Sequence, residues 1–503
     1  MDLNTAAPGG VSTRAAAGAT LLIASRLITR CIDLATLVIL GRLLSPADFG
    51  LVAIAMAIMF VVEAVSELPI GPVLIRVSVL NKGHYDTAFT VGILRALILA
   101  VILCALAWPI AQLYGDDRLI GLLCSLWLAP AARSLGSPLF VEFARKFHFQ
   151  PAVAIEIAGK SSAFLTSVSL AWWTASYWSI SAGTIIAPVS MATISYFVAP
   201  YRPKLSLVEW REFASFLGWS SASQFVNAIN IQLDQLVLAR FISPKELGRF
   251  SMANNLANLP TQVVIGQVVT PLVAAFSHIR GDKRRLAAAY RASAVTMVAI
   301  GIPAMIGLGM IAEPAVRLVL GPKWLEAVPV LHWLCIAAIP YFFVSTLGPL
   351  SMALGQTKVF LKLSTVEFLL RLPLTVPAVV YFGITGAIAV RLGLAVIMTI
   401  YSMFIIRQLT GLSVVTQLVG PWRPIASGMI MALALSLLGG WMSDLHGFLP
   451  LTIGLTVVVG IAATVYGAAL FLLWQFAGRP DGFETKIAVF LGICVRKLIA
   501  LRG

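Results

Sequence analysis

Long apolar stretches separated by short polar turns run along almost the whole chain. A helix that crosses the hydrocarbon core of a bilayer needs about 20 mostly apolar residues, and the chain offers about fourteen such stretches. The predicted spans are residues 17–40, 49–75, 87–113, 119–144, 152–174, 177–199, 212–239, 249–278, 286–312, 325–352, 357–380, 384–408, 424–443 and 449–475. Because the polar alternation of a membrane β-barrel is absent, helices are the predicted spanning elements.

Composition supports this prediction. Hydrophobic residues make up 59% of the 503-residue chain and charged residues only 11%, whereas a soluble domain is about 45–50% apolar and about 25% charged. These values exclude an ordinary soluble enzyme, a disordered scaffold and a secreted disulfide-rich protein. The predicted fold class is therefore an all-α polytopic membrane protein.

The net charge of +15 indicates membrane orientation rather than nucleic-acid binding. Outside the predicted spans, Lys and Arg are concentrated in alternate loops and in the two tails, as cytoplasmic segments require. Both termini are therefore expected in the cytoplasm, and no nucleic-acid partner is expected.

A short motif occurs twice. Residues 42–50, RLLSPADFG, recur as residues 240–248, RFISPKELG. Each copy is predicted to end one helix and to cap the next, since Ser-Pro followed by an acid is a strong helix start. The two copies lie six spans apart, so the halves are predicted to be parallel six-helix repeats, followed by two extra helices. The predicted organisation is a cytoplasmic tail (1–16), an N-terminal lobe (17–200), a cytoplasmic linker (201–211), a C-terminal lobe (212–410), two further spans (411–476) and a basic cytoplasmic tail (477–503).

Charged and amide side chains inside the spans are the candidate functional residues, because a charge within a bilayer usually faces a cavity or a partner. Most of them share narrow faces of the first, second, seventh and eighth spans, which we expect to line a central cleft. Arg95, Arg133 and Arg391 are single arginines within other spans. The candidate substrate-binding residues are Arg26, Arg30, Arg95, Arg133, Arg391, Asn227, Asn230, Asn254, Asn255 and Asn258. The candidate coupling or gating residues are Asp33, Glu63, Glu67, Asp234, Pro72 and Pro271.

Each arginine has a structural alternative as a snorkelling or helix-bridging side chain. Two pairs, Glu156 with Lys160 and Glu367 with Arg371, have the i,i+4 spacing of intrahelical ion pairs. No phosphate-binding loop, hydrolase motif or metal-binding spacing is present. The sequence therefore predicts no catalytic residue, no metal and no cofactor, and leaves an ion or proton gradient as the candidate energy source.

Residues 41–52, GRLLSPADFGLV, and residues 70–76, IGPVLIR, resemble the opening of Wzx-type polysaccharide flippases. These share a superfamily with lipid II flippases and MATE-type multidrug exporters. The resemblance implies a V-shaped, two-lobed transporter of the inner membrane without enzymatic activity. It also implies the substrate, an undecaprenyl-diphosphate-linked oligosaccharide moved to the periplasmic leaflet for exopolysaccharide, capsule or lipopolysaccharide synthesis. Arginines suit its diphosphate and amides suit its sugar hydroxyls.

Two alternatives remain open at this point. One is a MATE-like cation-coupled drug exporter, for which an acid-dominated cavity would be expected rather than the Arg26 and Arg30 pair. The other is a membrane polysaccharide polymerase or ligase, which the short outside loops disfavour. Besides the substrate, the expected partners are membrane lipids and the polymerase and export machinery.

Overall fold

Helices make up nearly all of the computed structural model, which describes residues 8–65, 74, 77, 80–146, 148–211, 218–356, 358–443, 447–479 and 485. No strand occurs within these ranges. The chain divides into two compact units, Met1–Gly248 and Arg249–Gly503.

The helices that begin in the first unit are α1 (Pro8–Leu43), α2 (Pro46–Val65), α3 (Lys82–Tyr114), α4 (Arg118–Leu126), α5 (Leu128–Ser134), α6 (Val141–Arg145), α7 (Gln150–Thr174), α8 (Trp178–Val198), α9 (Gly218–Phe241) and α10 (Pro244–Ile279). A 3-10 turn, Pro138–Phe140, joins α5 to α6. The linker predicted at residues 201–211 lies before the end of this unit, because the unit also contains α9. The division into lobes drawn from the repeat stays a prediction.

The helices of the second unit are α11 (Lys283–Met310), α12 (Ala312–Val319), α13 (Val328–Val344), α14 (Leu347–Ala353), α15 (Lys358–Thr410), α16 (Val414–Val419), α17 (Trp422–Ser443) and α18 (Phe448–Phe476). A 3-10 segment, Pro322–Ala327, precedes α13. Its core packs α11, α13 and α15 together around fully buried side chains such as Tyr290, Phe342 and Met403.

Over the part of the chain that the structure describes, each predicted span overlaps one or more of these helices. Within the described residues, nine helices are long and apolar enough to cross a membrane, or ten if one bent pair forms a single span. Helices α1, α7 and α9, with 36, 25 and 24 residues, are also long enough but carry more polar side chains. The all-α polytopic fold is thus confirmed.

Two spans differ in shape from a straight helix. The fourth is bent by 53° between Arg118–Ser134 and Pro138–Arg145. The eleventh and twelfth run together as α15, which breaks at Gly383 with φ 57° and ψ −134°. Glycine adopts this backbone conformation without a steric penalty, so the helix can break at Gly383.

The repeated motif caps two helices in the same way. The Ser45 hydroxyl donates to Asp48 Oδ2 at 2.5 Å and accepts from the Asp48 backbone N–H at 3.2 Å. The Ser243 hydroxyl makes the corresponding bonds with Glu246, at 2.8 and 3.3 Å. These reciprocal capping boxes, each with proline at the first helical position, start α2 and α10 as predicted.

The two copies of the motif also touch each other within the first unit. A Cβ atom on Gly50 would lie 3.0 Å from the backbone nitrogen of Gly248, and one on Gly248 would lie 3.0 Å from that of Gly50. The carbonyl oxygens of Pro244 and Pro46 would be closer still. The contact is reciprocal, so the first turns of α2 and α10 cross where only glycine allows the backbones to approach.

Segments that the charge pattern places in the cytoplasm meet on one side of the first unit. Buried Asp86, in the first turns of α3, accepts hydrogen bonds from the Tyr201 hydroxyl and the Lys204 backbone N–H, both at 2.8 Å. Thr90 Oγ1 accepts another from the Ser206 backbone N–H at 2.9 Å. Burial, and then the bond to Asp86, raise the pKa of Tyr201, so its phenol stays protonated as a donor. The predicted linker is therefore clamped onto α3.

The opposite set of loops also meets. Arg118 pairs with Asp116 at 2.6 Å and lies over the Tyr177 ring at 5.8 Å. The hydrogen bond from Arg118 lowers the pKa of Asp116.

At the termini, α1 begins at Pro8, inside the segment predicted as a tail. Most of the basic tail, residues 480–484 and 486–503, lies outside the described residues.

Candidate substrate cavity

The bend in the fourth span opens a cavity of about 690 Å³ inside the first unit. Its walls come from α1, α5, α7, α8 and the turn after α5. We call it the charged cavity, because its lining includes Asp33, Arg133 and Lys160. Pockets that bind small organic ligands have volumes of about 300–1,000 Å³, so this one can hold a ligand of that size.

The bend itself is held by the Ser195 side chain of α8 and by the Ala199 backbone carbonyl that follows this helix. The Ser137 backbone N–H, freed where the helix breaks, donates to Ser195 Oγ at 2.8 Å. The Ser137 hydroxyl donates to the Ala199 carbonyl at 2.7 Å. Both groups are buried, so these bonds satisfy backbone that would otherwise be costly at membrane depth. Gly136 in this turn lines the cavity together with Arg133.

Lys160 and Asp33 form an ion pair that joins α7 to α1. Lys160 Nζ lies 2.6 Å from Asp33 Oδ1. The predicted pairing of Lys160 with Glu156 is therefore wrong. Glu156 instead accepts a 3.4 Å hydrogen bond from Ser25 Oγ. Tertiary packing brings Asp33 to Lys160, and a contact across helices replaces the one along the helix.

Glu63 on α2 is held by two arginines. Arg133 Nη2 lies 2.7 Å from both Glu63 carboxylate oxygens, and Arg95 Nη2 lies 3.6 Å from one of them. The Arg133 side chain remains 50% exposed, so it contacts Glu63 and the charged cavity at once. A guanidinium carries five donors in a planar fork, and this pairing occupies only one nitrogen of Arg133.

The Lys160–Asp33 pair and the group formed by Glu63, Arg95 and Arg133 together carry a net positive charge. Arg95, Arg133 and Lys160 outnumber the carboxylates of Glu63 and Asp33. The remaining polar lining consists of hydroxyl groups, among them Thr36, Ser167 and Thr184. An excess positive charge beside hydroxyls suits an anionic, oxygen-rich ligand such as a phosphate ester.

The other candidates of the first unit lie outside the lining of this cavity. Arg26 is exposed and Arg30 is partly buried on α1. On α9, Asn227 is exposed, while Asn230 and Asp234 are each only 3% exposed. The charged cavity thus uses the first span but neither α2 nor α9. The central cleft expected from the first, second, seventh and eighth spans stays a prediction.

In the second unit, two candidates contact each other. Arg391 Nη1 donates to Asn254 Oδ1 at 2.9 Å, linking α15 to α10. Asn255 and Pro271 are exposed, and Asn258 is partly buried. Separately, Arg371 pairs with Glu367 at 3.0 Å, so the second predicted intrahelical pair is confirmed. Glu67 and Pro72 lie outside the described residues.

Sequence reasoning missed Lys160 as a site residue. Because Glu156, four residues earlier on the same helix, is a suitable ion-pair partner, nothing in the local sequence indicated that Lys160 lines the cavity. The available signal was on α1, where Asp33 shares a face with two arginines at membrane depth. An acid there is expected to attract a cation from another helix.

The fold defines the class of this protein as a polytopic α-helical membrane protein. Residues 39–329 match the model of the family described as "Polysaccharide biosynthesis protein". The match spans more than half of the chain, so this chain belongs to that family.

Curated relatives agree with this membership. The chain is 25% identical over 402 residues to the lipopolysaccharide biosynthesis protein WzxC of Escherichia coli K12, covering 78% of this chain and 81% of WzxC. It is 26% identical over 355 residues to the succinoglycan biosynthesis transport protein ExoT of Rhizobium meliloti, covering 70% and 71%. The resemblance to Wzx-type flippases drawn from residues 41–52 and 70–76 is thereby confirmed.

Solved structures share the fold. A lipid II flippase, MurJ in an inward closed conformation, aligns with a TM-score of 0.71 at 16% identity, covering 89% of this chain and 99% of MurJ. An inward-facing MATE-family multidrug transporter aligns with a TM-score of 0.60 at 14% identity, covering 76% and 96%. The family match and the curated relatives identify a transport protein rather than an enzyme and do not favour the drug-exporter alternative.

Proposed function

We propose that this chain is a flippase that translocates undecaprenyl-diphosphate-linked oligosaccharide repeat units from the cytoplasmic to the periplasmic leaflet. The translocated repeat units would then be used to synthesise exopolysaccharide, capsule or lipopolysaccharide O-antigen. The charged cavity carries the proposal, because it places Arg133 and Lys160 beside hydroxyl groups inside a membrane unit. Family membership supplies the class of substrate.

Arg133 and Lys160 are the proposed contacts to the diphosphate. Arg133 is oriented by Glu63 and Lys160 by Asp33, so both cations are positioned before the substrate enters. A diphosphate bound there would compete with two carboxylates for the same donors. Such competition allows release, because an anion held by unpaired cations in a low-dielectric site would dissociate slowly. Arg26, Arg30 and Arg391 remain proposed substrate contacts, and the amides of Asn254 and Asn258 remain proposed sugar contacts.

Translocation would proceed by alternating access. The parallel repeat and the division into two compact units support this proposal, because paired repeats in transporters typically move as bodies. We further propose the cell inner membrane as the location, with both termini in the cytoplasm, and the polysaccharide polymerase and export machinery as partners.

The proposed energy source is an ion or proton gradient, with Asp33, Glu63 and Asp234 as the described candidates. Asp33 is the strongest of these, because among the described residues it is paired with one ammonium, that of Lys160, whereas two guanidiniums hold Glu63. Collapsing the proton gradient with an uncoupler should slow polymer export before cellular lipid-linked sugar is depleted. Unchanged export would contradict proton coupling and leave the flipping proposal intact.

Leaflet analysis in a deletion strain tests the proposed function. Lipid-linked oligosaccharides are extracted, and their accessibility to an external glycan-modifying reagent is measured in intact spheroplasts. Complete repeat units trapped on the cytoplasmic face, with no polymer formed, are the expected result. Repeat units that reach the periplasmic face but stay unpolymerised would instead identify a polymerase or ligase. No change in lipid-linked sugars would contradict both functions.

A further inference from the structure

A second, smaller cavity adjoins the charged cavity. Its volume is about 300 Å³, and it shares Ser137 and Phe140 with its larger neighbour. Apart from His148, the rest of its lining is apolar and includes Leu74, Phe143 and Ala152. We call it the apolar annex. A cavity that contains charged side chains and an apolar one thus meet at a single hydroxyl and a single ring.

The walls of the annex are fixed by polar bonds outside it. Arg145 Nη1 donates to the Leu74 carbonyl at 2.9 Å and to the Val77 carbonyl at 2.6 Å. These bonds tie the Leu74 and Val77 backbone to the end of α6. The Phe140 and Phe143 rings, which also line the annex, pack edge to face with centroids 5.5 Å apart. The annex is therefore a built recess rather than a gap between loose side chains.

On the basis of the proposed function, we propose that the annex binds the first isoprene units of the carrier lipid while the charged cavity binds its diphosphate. In a polyprenyl diphosphate, the phosphate is bonded directly to the apolar chain. The two cavities juxtapose the same two chemistries with no polar space between them. The annex excludes water from a short apolar segment, which favours binding in proportion to the apolar area buried.

The size of the annex favours a polyisoprenoid over an ordinary phospholipid. A phospholipid places a glycerol with two ester groups between its phosphate and two acyl chains. The junction at Ser137 and Phe140 offers one hydroxyl, already donating to the Ala199 carbonyl, to such polar ester groups. A recess of about 300 Å³ accepts one narrow chain, and the single chain of the proposed substrate meets that limit.

Variants that fill the annex separate chain binding from head-group binding. Ala152 on α7 lines the annex, whereas Ala154, two residues further along the same helix, is exposed. The purified full chain in nanodiscs is tested for binding of undecaprenyl diphosphate and, separately, of inorganic diphosphate. Ala152→Trp should weaken undecaprenyl diphosphate binding about tenfold or more and leave inorganic diphosphate binding unchanged. Ala154→Trp is the matched control and should change neither.

A second filling variant guards against misfolding. Ala144 lines the annex but is exposed on its other side, so Ala144→Trp adds a ring without repacking the core and should reproduce the Ala152→Trp result. Wild-type affinity in Ala144→Trp and Ala152→Trp would overturn the inference while leaving the proposed function standing. Equal competition by phosphatidylglycerol would also overturn it, since the annex would then hold ordinary lipid. If the unaltered chain binds no undecaprenyl diphosphate, the proposed function fails and the inference fails with it.

Discussion

The Lys160 ammonium lies 2.6 Å from the Asp33 carboxylate and joins α7 to α1 inside the charged cavity. Each side chain is little more than one-third exposed, so the pair is neither freely solvated nor sealed in the core. Such a pair contributes modestly to stability. Its position beside Arg133 in the lining is better explained by ligand binding than by folding alone.

Removing the Lys160 charge should abolish transport, and a double variant separates this loss from any loss of protein. Lys160→Gln loses a phosphate contact and also leaves Asp33 without its ammonium, at a cost of about 1 kcal/mol or less. In Asp33→Asn/Lys160→Gln the unpaired charge is gone, so the protein level should recover while polymer export stays lost. Immunoblotting and polymer quantification give the two readouts. Lys146→Gln, which alters an exposed i,i+4 pair with Glu142, should export normally, and restored export in the double variant would contradict the ligand role of Lys160.

The arginines of α1 give a second test, because they lie outside the charged cavity. Arg26→Ala or Arg30→Ala should abolish polymer export and leave the protein level intact. Arg30→Lys should retain only part of the activity, since an ammonium cannot contact a phosphate through a planar fork of donors. Export is measured against protein level in the deletion strain. Full export by the alanine variants would remove these two residues from the substrate path.

The contact between α7 and α8 predicts a stability defect at Gly183. A Cβ atom there would collide with Ser167 Oγ and lie 3.1 Å from the Ala163 carbonyl oxygen. Gly183→Ala should therefore destabilise the protein by about 1–3 kcal/mol through overpacking. Thermal unfolding in detergent measures the shift. Gly467→Ala in α18 meets open space and should leave the unfolding temperature nearly unchanged; an equal drop in both variants would contradict the packing argument.

The linker clamp predicts a change in protease sensitivity. Asp86→Ala removes the acceptor for the Tyr201 hydroxyl and the Lys204 backbone N–H. Leaving these donors without their acceptor costs about 1–3 kcal/mol, which should loosen the linker locally. Trypsin should then cut after Lys204 faster than in the unaltered chain. Asp117→Ala, at an exposed acid in the opposite set of loops, should not change the rate, and an unchanged rate in Asp86→Ala would contradict the clamp.

Local features were predictable from the sequence. The capping of α2 by Ser45 and Asp48 depends on residues three apart, and the same local pattern caps α10. The apolar spans were predictable because membrane crossing fixes their length and composition. The Glu367 and Arg371 pair was also read correctly, since both partners lie on one helix.

Contacts between helices were not predictable in this way. Lys160 has an acid at i−4 and another on α1, and only packing decides that it meets Asp33. The bend before Pro138 lies within the span predicted at residues 119–144, and the cavity that it opens behind Ser137 depends on where Ser195 of α8 lies. A single sequence contains no direct information on distances between helices. The charged residues could therefore be named as candidates but not placed together in one site.

Translocation in reconstituted vesicles tests the central claim most directly. Proteoliposomes containing the full chain are loaded with an undecaprenyl-diphosphate-linked oligosaccharide, and the fraction reaching the opposite leaflet is followed over time. We expect transfer well above that of protein-free vesicles, and a loss of about tenfold or more in Arg133→Gln, equivalent to about 1.4 kcal/mol or more. Lys146→Gln should transfer at the wild-type rate. Transfer no faster than in protein-free vesicles, or a wild-type rate in Arg133→Gln, would contradict a flippase that works through the charged cavity.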